Sequence, residues 1–463
     1  MHSGYGRIQR LFRLAILPAL ACALLVHGAA SPSWARIWYV DGAAQGTGHG
    51  GSWSQAFRTI QESLDVAQAW DQVWIKGGTY VLDGTLAPDV PLSLIGGFAG
   101  RERSPAQRDL AANPTVIDGN DATMCLYITQ TTVIDGLTIQ RGNDSYGSYG
   151  FVGGGGIHVL GARLILRHST IMENTGSICS GISAEQASLL LVGCTLRDNR
   201  VIYYPSGGGA LDLNQSKATI LRSSFIGNSR VEGGAIFMHP GSSALIAHSI
   251  FEGNAARFGG GAIHARDAAL DLVGCTFQDN SVSDAGGAIG AGDMRAVNCR
   301  FLNNTANIAG AAIAGNSVFT NCLFVGNSAD TAGACQLESA SLVHCTLYGN
   351  SSYSEIVQGY GSAAVHNSIV WGNELYGSDS RPVRGAVVSF SDIEGGHAGT
   401  GNIDAPPAFV NPESLDFHLG PDSPCIDRAQ FRCPYFPYRD FEGDRRIIGP
   451  RPDMGMDERR LNG

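Results

Sequence analysis

GGGAIHARDAALDLVGCTFQDN, residues 259–280, is one turn of a pattern that the chain repeats. The run from Cys275 through Phe277 to Asn280 returns as Cys299, Phe301 and Asn304, and again as Cys322, Phe324 and Asn327. Working outward, nine asparagines keep this clock: Asn174, Asn199, Asn228, Asn254, Asn280, Asn304, Asn327, Asn350 and Asn373, at intervals of 25, 29, 26, 26, 24, 23, 23 and 23. Three positions before each stands a large apolar residue: Ile171, Leu196, Phe225, Phe251, Phe277, Phe301, Phe324, Leu347 and Val370. Five positions before each stands Ser or Cys. A glycine step keeps the same time, as GGAI at Gly233–Ile236, Gly260–Ile263 and Gly286–Ile289 and as GGAL at Gly208–Leu211. Self-similarity at this period marks a solenoid in which each unit buries its apolar face against the next.

The period has room for two or three short strands and their corners, and not for a strand plus a full helix. The Ser/Cys and Phe/Leu columns lie two residues apart, so they share a strand face and stack into the core. Asparagine suits the corner, where it tolerates left-handed backbone and its amide can bond the amides above and below. The glycines permit a sharp corner or close approach of coils. A leucine-rich repeat has a similar period, but its leucine positions are filled here by Gly, Ala, Ser and Cys.

The 463 residues carry 62 Gly and only 16% charged residues, as expected where many corners separate short strands. Arg7, Arg10 and Arg13, the apolar run Leu14–Val26 and the small residues before Ala30 and Ala35 have the layout of a secretory signal. Without residues 1–35 the formal charge moves from -10 to -13, because three Arg and no acids leave. With two lysines in the whole chain, Lys76 and Lys217, no nucleic-acid partner is expected. No later stretch is apolar and long enough to cross a membrane as a helix.

The expected organisation is a signal peptide over 1–35, an amino-terminal cap over 36–90, a parallel β-helix over 91–400 and an irregular carboxy-terminal cap or attachment segment over 401–463. Phe57, Ile60, Leu64 and Ala67 have helical spacing, so the amino cap is expected to be a helix plugging the first coil. Of eleven cysteines, Cys194, Cys275, Cys299, Cys322 and Cys345 occupy the small-residue column and read as a buried thiol ladder. Cys425 and Cys433 are the candidate disulfide. No CxxC or His/Cys cluster has zinc-ligand spacing.

GGA[IL] steps joined to FxxN in a fixed order resemble the repeats of the polymorphic outer membrane proteins and the wider pectin-lyase-like right-handed parallel β-helix class. Trp38-Tyr39-Val40-Asp41 with Gly77-Gly78-Thr79-Tyr80 is similar to the amino cap of secreted β-helix proteins. Ser423-Pro424-Cys425-Ile426-Asp427 with Asp453-Met454-Gly455 is similar to the terminal segment of "choice-of-anchor" β-helix proteins, from which Met456-Asp457-Glu458 departs. The resemblance implies an all-β, right-handed parallel β-helix, a single-stranded solenoid that is exported to the surface or medium and meets polysaccharide or a cell-surface glycan. It implies no particular activity.

The residue after the inward Ile or Leu of each glycine step should face solvent. His158, Ser183, Asp212, Phe237 and His264, followed by Gly290 and Ala314, therefore form a candidate glycan-binding column with rungs about 4.8 Å apart. Catalytic residues are not assigned; binding or adhesion is the expected role, and a polysaccharide lyase or glycoside hydrolase is the alternative. No cofactor is expected. The acidic loops Asp118-Gly119-Asn120-Asp121 and Asn143-Asp144 would hold Ca2+ only if they met in space, and turn chemistry accounts for them without it. Arg141 is the best-placed base for a lyase-like reaction.

Overall fold

The computed structural model describes residues 35–45, 48–144, 153–177, 179–201, 208–431 and 433–459. The expected signal peptide lies outside these residues except for Ala35. The described residues form two compact units, one within 35–199 with 216–223 and one within 200–215 with 224–459. Both are built from parallel strands wound into a β-helix. Among the described residues no helix is long and apolar enough to cross a membrane.

In the first unit, Ile37–Val40 pairs with Gln72–Lys76, which pairs in turn with Leu92–Phe98. The same sheet continues through Thr132–Asp135, Arg163–Arg167, Ser188–Val192 and Lys217–Leu221. A second sheet stacks Gly78–Val81, Thr115–Asp118, Thr138–Gln140, Thr170–Met172 and Thr195–Arg197. The helix in the amino cap is shorter than its spacing suggests, running only over Ile60–Leu64. Thr59 and Glu62 close it with a reciprocal capping box, which satisfies free amides of its first turn.

In the second unit the strand carrying the aromatic column passes from Ser224–Ile226 through Ile250–Glu252, Thr276–Gln278, Arg300–Leu302, Leu323–Val325, Thr346–Tyr348 and Ile369–Trp371 to Asp392–Ile393. The rings of Phe225, Phe251, Phe277, Phe301 and Phe324 stack at centroid spacings of 4.8, 4.8, 5.1 and 4.7 Å, within 8° of parallel. Each asparagine from Asn254 to Asn350 donates its side-chain amide to the next asparagine's Oδ1 and to a carbonyl of the preceding coil's aromatic strand. The column is fully buried from Asn228 to Asn350. Its amides therefore do the work that water does at an exposed corner.

The left-handed corner residue is not the asparagine but its predecessor. In the first unit this is Glu173 at φ 54° and Asp198 at 55°; in the second it is Gly227, Gly253, Asp279, Asn303, Gly326, Gly349 and Gly372, all between 53° and 66°. The bend must come one residue early so that the asparagine side chain turns inward to its ladder. A second left-handed column precedes the Ser/Cys position, through His248, Gly274, Asn298, Asn321, His344 and Asn367 in the second unit. Each three-residue aromatic strand is thus held between two such corners.

The glycine step serves close approach. A Cβ on Gly261 would lie 2.0 Å from the carbonyl oxygen of Gly287 in the neighbouring coil, a contact that no side chain can make. Cys275, Cys299, Cys322 and Cys345 are buried free thiols. Burial pushes the Cys275 thiol well above its ordinary value, with the thiol of Cys299 beside it.

The expected Cys425–Cys433 disulfide is absent, and both are free thiols. Cys425 donates to Asp392 Oδ2 at 3.1 Å, while Cys433 Sγ accepts from Asn367 Nδ2 at 3.2 Å. The two sulfurs are committed to different partners, so eight residues of separation do not bring them together.

Nor is the carboxy-terminal segment simply an end cap. After the antiparallel pair Phe409–Asn411 and Asp416–Leu419 it runs back along the second unit's corner column. Asn367 receives the Gln430 amide on Oδ1 at 2.9 Å and donates to the Gln430 carbonyl at 3.0 Å. Asn321 donates to the Arg439 carbonyl at 2.7 Å, and Asn298 to that of Phe441 at 3.2 Å. The left-handed asparagines point their amides outward, and the returning segment supplies backbone to meet them. Arg446, 1% exposed, clamps it by donating to the carbonyls of Met456, Asp453 and Gly455 and to His344 Nδ1.

Candidate functional site

The outward column is in register within each unit. His158 faces Tyr127 and Ser183 on adjacent strands of the first unit. Asp212, Phe237, His264 and Gly290 follow one another in the second. At the next rung the facing residue is Ile313, not Ala314. A one-residue offset exchanges the faces of a strand, and Ala314 is accordingly buried.

The exposure expected for the column is overturned at its first four members, while His264 is partly exposed. His158 is 3%, Ser183 7%, Asp212 3% and Phe237 1% exposed. The side chains cover each other: the His158 ring stacks on Tyr127 at 5.5 Å, and Phe237 meets His239 and His264 edge to face. Gly153 presses on the His158 ring closely enough that a Cβ there would lie 2.9 Å from Nδ1. Asp212 turns back to accept the Gly208 amide at 3.1 Å and stands 3.1 Å from His239 Nε2. Burial holds the pKa values of His158 and His264 below the ordinary imidazole value. These residues are therefore packed as a second, outer layer, leaving little surface for a sugar chain.

Asp118, Asn120 and Asp121 gather around Arg141. Arg141 occupies their acceptors, with Nε 3.0 Å from Asp121 Oδ2, Nη1 3.3 Å from Asp118 Oδ2 and Nη2 3.1 Å from Asn120 Oδ1. The hydrogen bond that Arg141 donates to Asp121, then the charge of Asp118, raises the Arg141 pKa further. That environment opposes the loss of a proton which a base requires.

Two other groupings, both in the second unit, were not legible as sites. One is an aromatic pair. Ser351 and Ser352 pair with Glu374 and Leu375, which brings Tyr353 and Tyr376 to the same place on successive coils. Their rings lie 5.5 Å apart at 55°, yet they are 64% and 58% exposed. The Tyr376 hydroxyl bonds the Glu374 carboxylate. Close by in the chain Arg384 Nε meets Glu355 Oε1 at 2.5 Å.

The second lies where the returning segment crosses Asp416–Leu419. Strand alternation turns Phe417 into a core with Leu323 and Met456, while Asp416 and His418 share the other face. His418 Nδ1 is 2.6 Å from Asp416 Oδ1, and His418 Nε2 is 3.4 Å from both Glu442 Oε2 and Asp457 Oδ2. A cavity of about 210 Å³ adjoins them, lined also by Arg300, Leu415 and Phe441. Burial opposes a charge on His418, but Asp416, Asp457 and Glu442 outweigh it and raise its pKa. Burial, then the charge of Asp440, pushes Asp457 up to about 7. Only the alternation of Asp416-Phe417-His418-Leu419 hinted at this grouping in the sequence.

A family model described as "Right handed beta helix region" matches residues 112–287 and 180–351, together more than half of the chain. No curated protein matches it. Among solved structures the chain is similar to a pectate lyase, at 15% identity over 92% of this chain and 96% of that one, with a TM-score of 0.38. It is similar to a rhamnogalacturonan lyase, at 13% identity over 81% and 91%, with a TM-score of 0.32. A third likeness is to the catalytic unit of an alpha-1,3-glucanase from Streptomyces thermodiastaticus, at 13% identity over 81% and 70%, with a TM-score of 0.33. At these values no residue correspondence and no activity passes to this chain.

Proposed function

The chain belongs to the right handed beta helix region family, and from that premise we propose that it is an exported, non-catalytic glycan-binding protein. The exposed pair Tyr353 and Tyr376 carries this reading. Two phenol rings on successive coils present apolar faces to water that their own fold leaves uncovered, although their edges and hydroxyls are suited to a wet surface. The C–H face of a sugar ring is a matching partner, being apolar on its flat side and polar at its rim. Glu374, whose carboxylate accepts from the Tyr376 hydroxyl, stands beside the rings as a hydrogen-bonding group for sugar hydroxyls. The likeness of the GGAI and FxxN steps to polymorphic outer membrane protein repeats, and of the terminal segment to "choice-of-anchor" proteins, supports a place at the cell surface. Residues 1–35 support export.

The test is affinity electrophoresis of the purified protein through gels containing neutral and acidic polysaccharides, with the double variant Tyr353→Ala/Tyr376→Ala alongside. Because both side chains are exposed, the variant should melt as the parent does. Retardation by at least one polysaccharide, reduced tenfold or more in the variant, is expected. Equal retardation of both proteins, or none in any gel, would overturn the assignment. Release of unsaturated or reducing ends from a polysaccharide would replace it with a lyase or a hydrolase.

A further inference from the structure

We propose that His418, Glu442 and Asp457 bind one divalent transition-metal ion, with Zn2+ the best match, and that solvent in the adjoining cavity completes its coordination. One atom from each of the three lies within 4.8 Å of the others. The orientation of His418 is the decisive observation. Asp416 Oδ1 stands 2.6 Å from Nδ1, placed to accept its hydrogen, so a metal-bound ring would present the Nε2 lone pair toward the two carboxylates. Nε2 and one oxygen of each carboxylate then converge beside the cavity, as the ligands of one ion would. A carboxylate on the outer nitrogen is also how a metal-bound histidine is commonly held in tautomer and orientation.

Distance separates a metal from a shared proton. A hydrogen bond from an imidazolium to a carboxylate closes to about 2.7–2.9 Å. Here Nε2 stands 3.4 Å from both carboxylates. Ligands about 2.1 Å from a tetrahedral ion are about 3.4 Å from one another, which is the spacing of nitrogen and oxygen donors around zinc. An imidazole in the set favours zinc or a neighbouring transition metal over calcium or magnesium. Arg300 is the cation in the cavity, but its guanidinium is held 4.8 Å over the Phe441 ring, and Asp416, Glu442 and Asp457 outnumber it.

The ligands also come from separate parts of the carboxy-terminal segment. His418 belongs to the strand Asp416–Leu419, and Glu442 and Asp457 to the stretch that runs back over the corner column. An ion here would tie those parts together.

The experiment uses the full chain without a polyhistidine tag, stripped with a chelator and titrated with ZnCl2 by calorimetry, with melting followed in parallel. One equivalent of Zn2+ per chain and a higher melting temperature are expected. Affinity should fall at least tenfold in His418→Gln and in Glu442→Gln. Glu442 is exposed, so that variant should fold as the parent does even if changes at buried Asp457 do not. Absence of a stoichiometric site, or affinity in both variants equal to the parent's, would overturn the proposal and leave His418 as an imidazolium. Neither result depends on glycan binding, which is read at Tyr353 and Tyr376.

Discussion

Asn280 donates both its backbone amide, at 3.1 Å, and its side-chain amide, at 2.9 Å, to the single Oδ1 of Asn304. Its own Oδ1 accepts the same two donors from Asn254, each at 3.0 Å. One buried oxygen thus serves two donors on every rung, and each rung is at once acceptor and donor.

Replacing Asn280 with Ala would strip the Asn254 amides of their acceptor, take the side-chain donor from the Phe251 carbonyl, and leave Asn304 Oδ1 only the backbone amide of position 280. Each orphaned buried group costs about 1–3 kcal/mol, so a loss of about 3 kcal/mol or more is expected. Asn280→Ala/Asn304→Ala should cost less than the sum of the two single changes, because they share bonds. Urea midpoints of the three variants give the comparison, and additive losses would contradict the shared ladder.

Phe277 lies in the middle of the ring stack and is fully buried. Phe277→Ala should open a cavity and cost about 3–5 kcal/mol. An unchanged unfolding midpoint would be incompatible with that packing.

The left-handed corners offer changes of opposite sign. Gly253 has φ 61° and open space where a Cβ would go, so Gly253→Ala should cost about 1–2 kcal/mol through backbone strain alone. Glu173 adopts φ 54° as a non-glycine residue, and Glu173→Gly should gain about 1 kcal/mol. Its ion pair with Arg197 is long, at 3.7 Å, and both side chains are partly exposed to water, so little is lost with it. A stabilising Gly253→Ala would refute this account.

Asp392 is buried, and burial is the main cause that pushes its pKa from 3.8 to about 6, with the charges of Asp404 and Glu394 adding to it. The bonds from Cys425 and the Ala405 amide pull the other way and do not prevail. The folded chain therefore keeps a proton that the unfolded chain releases between about pH 4 and pH 6. The stability due to this group is fully present below about pH 4 and is lost as pH rises through 6, by about 2–3 kcal/mol. Asp392→Asn should flatten that part of the stability profile, and parallel pH profiles of the two proteins would count against it.

By itself the sequence determined the coil. Phe277, Cys275 and Asn280 each meet the same residue type on the next turn, so a column written along the chain becomes a column in space. Parallel in-register stacking needs no information beyond the repeat. Even so, local pattern misplaced the bend by one residue and, at Ile313, the face of a strand by one.

Only the tertiary structure decided the surface. Burial of His158, Asp212 and Phe237 depends on neighbouring side chains that no period announces. The meeting of His418 with Glu442 and Asp457 depends on a chain that turns back after Leu419 and pairs its backbone with Asn298, Asn321 and Asn367. Those contacts join residues 63 to 143 positions apart through main-chain carbonyls that every residue possesses. A repeat records what each coil owes its neighbour, whereas an irregular segment records its path only in the contacts it finally makes.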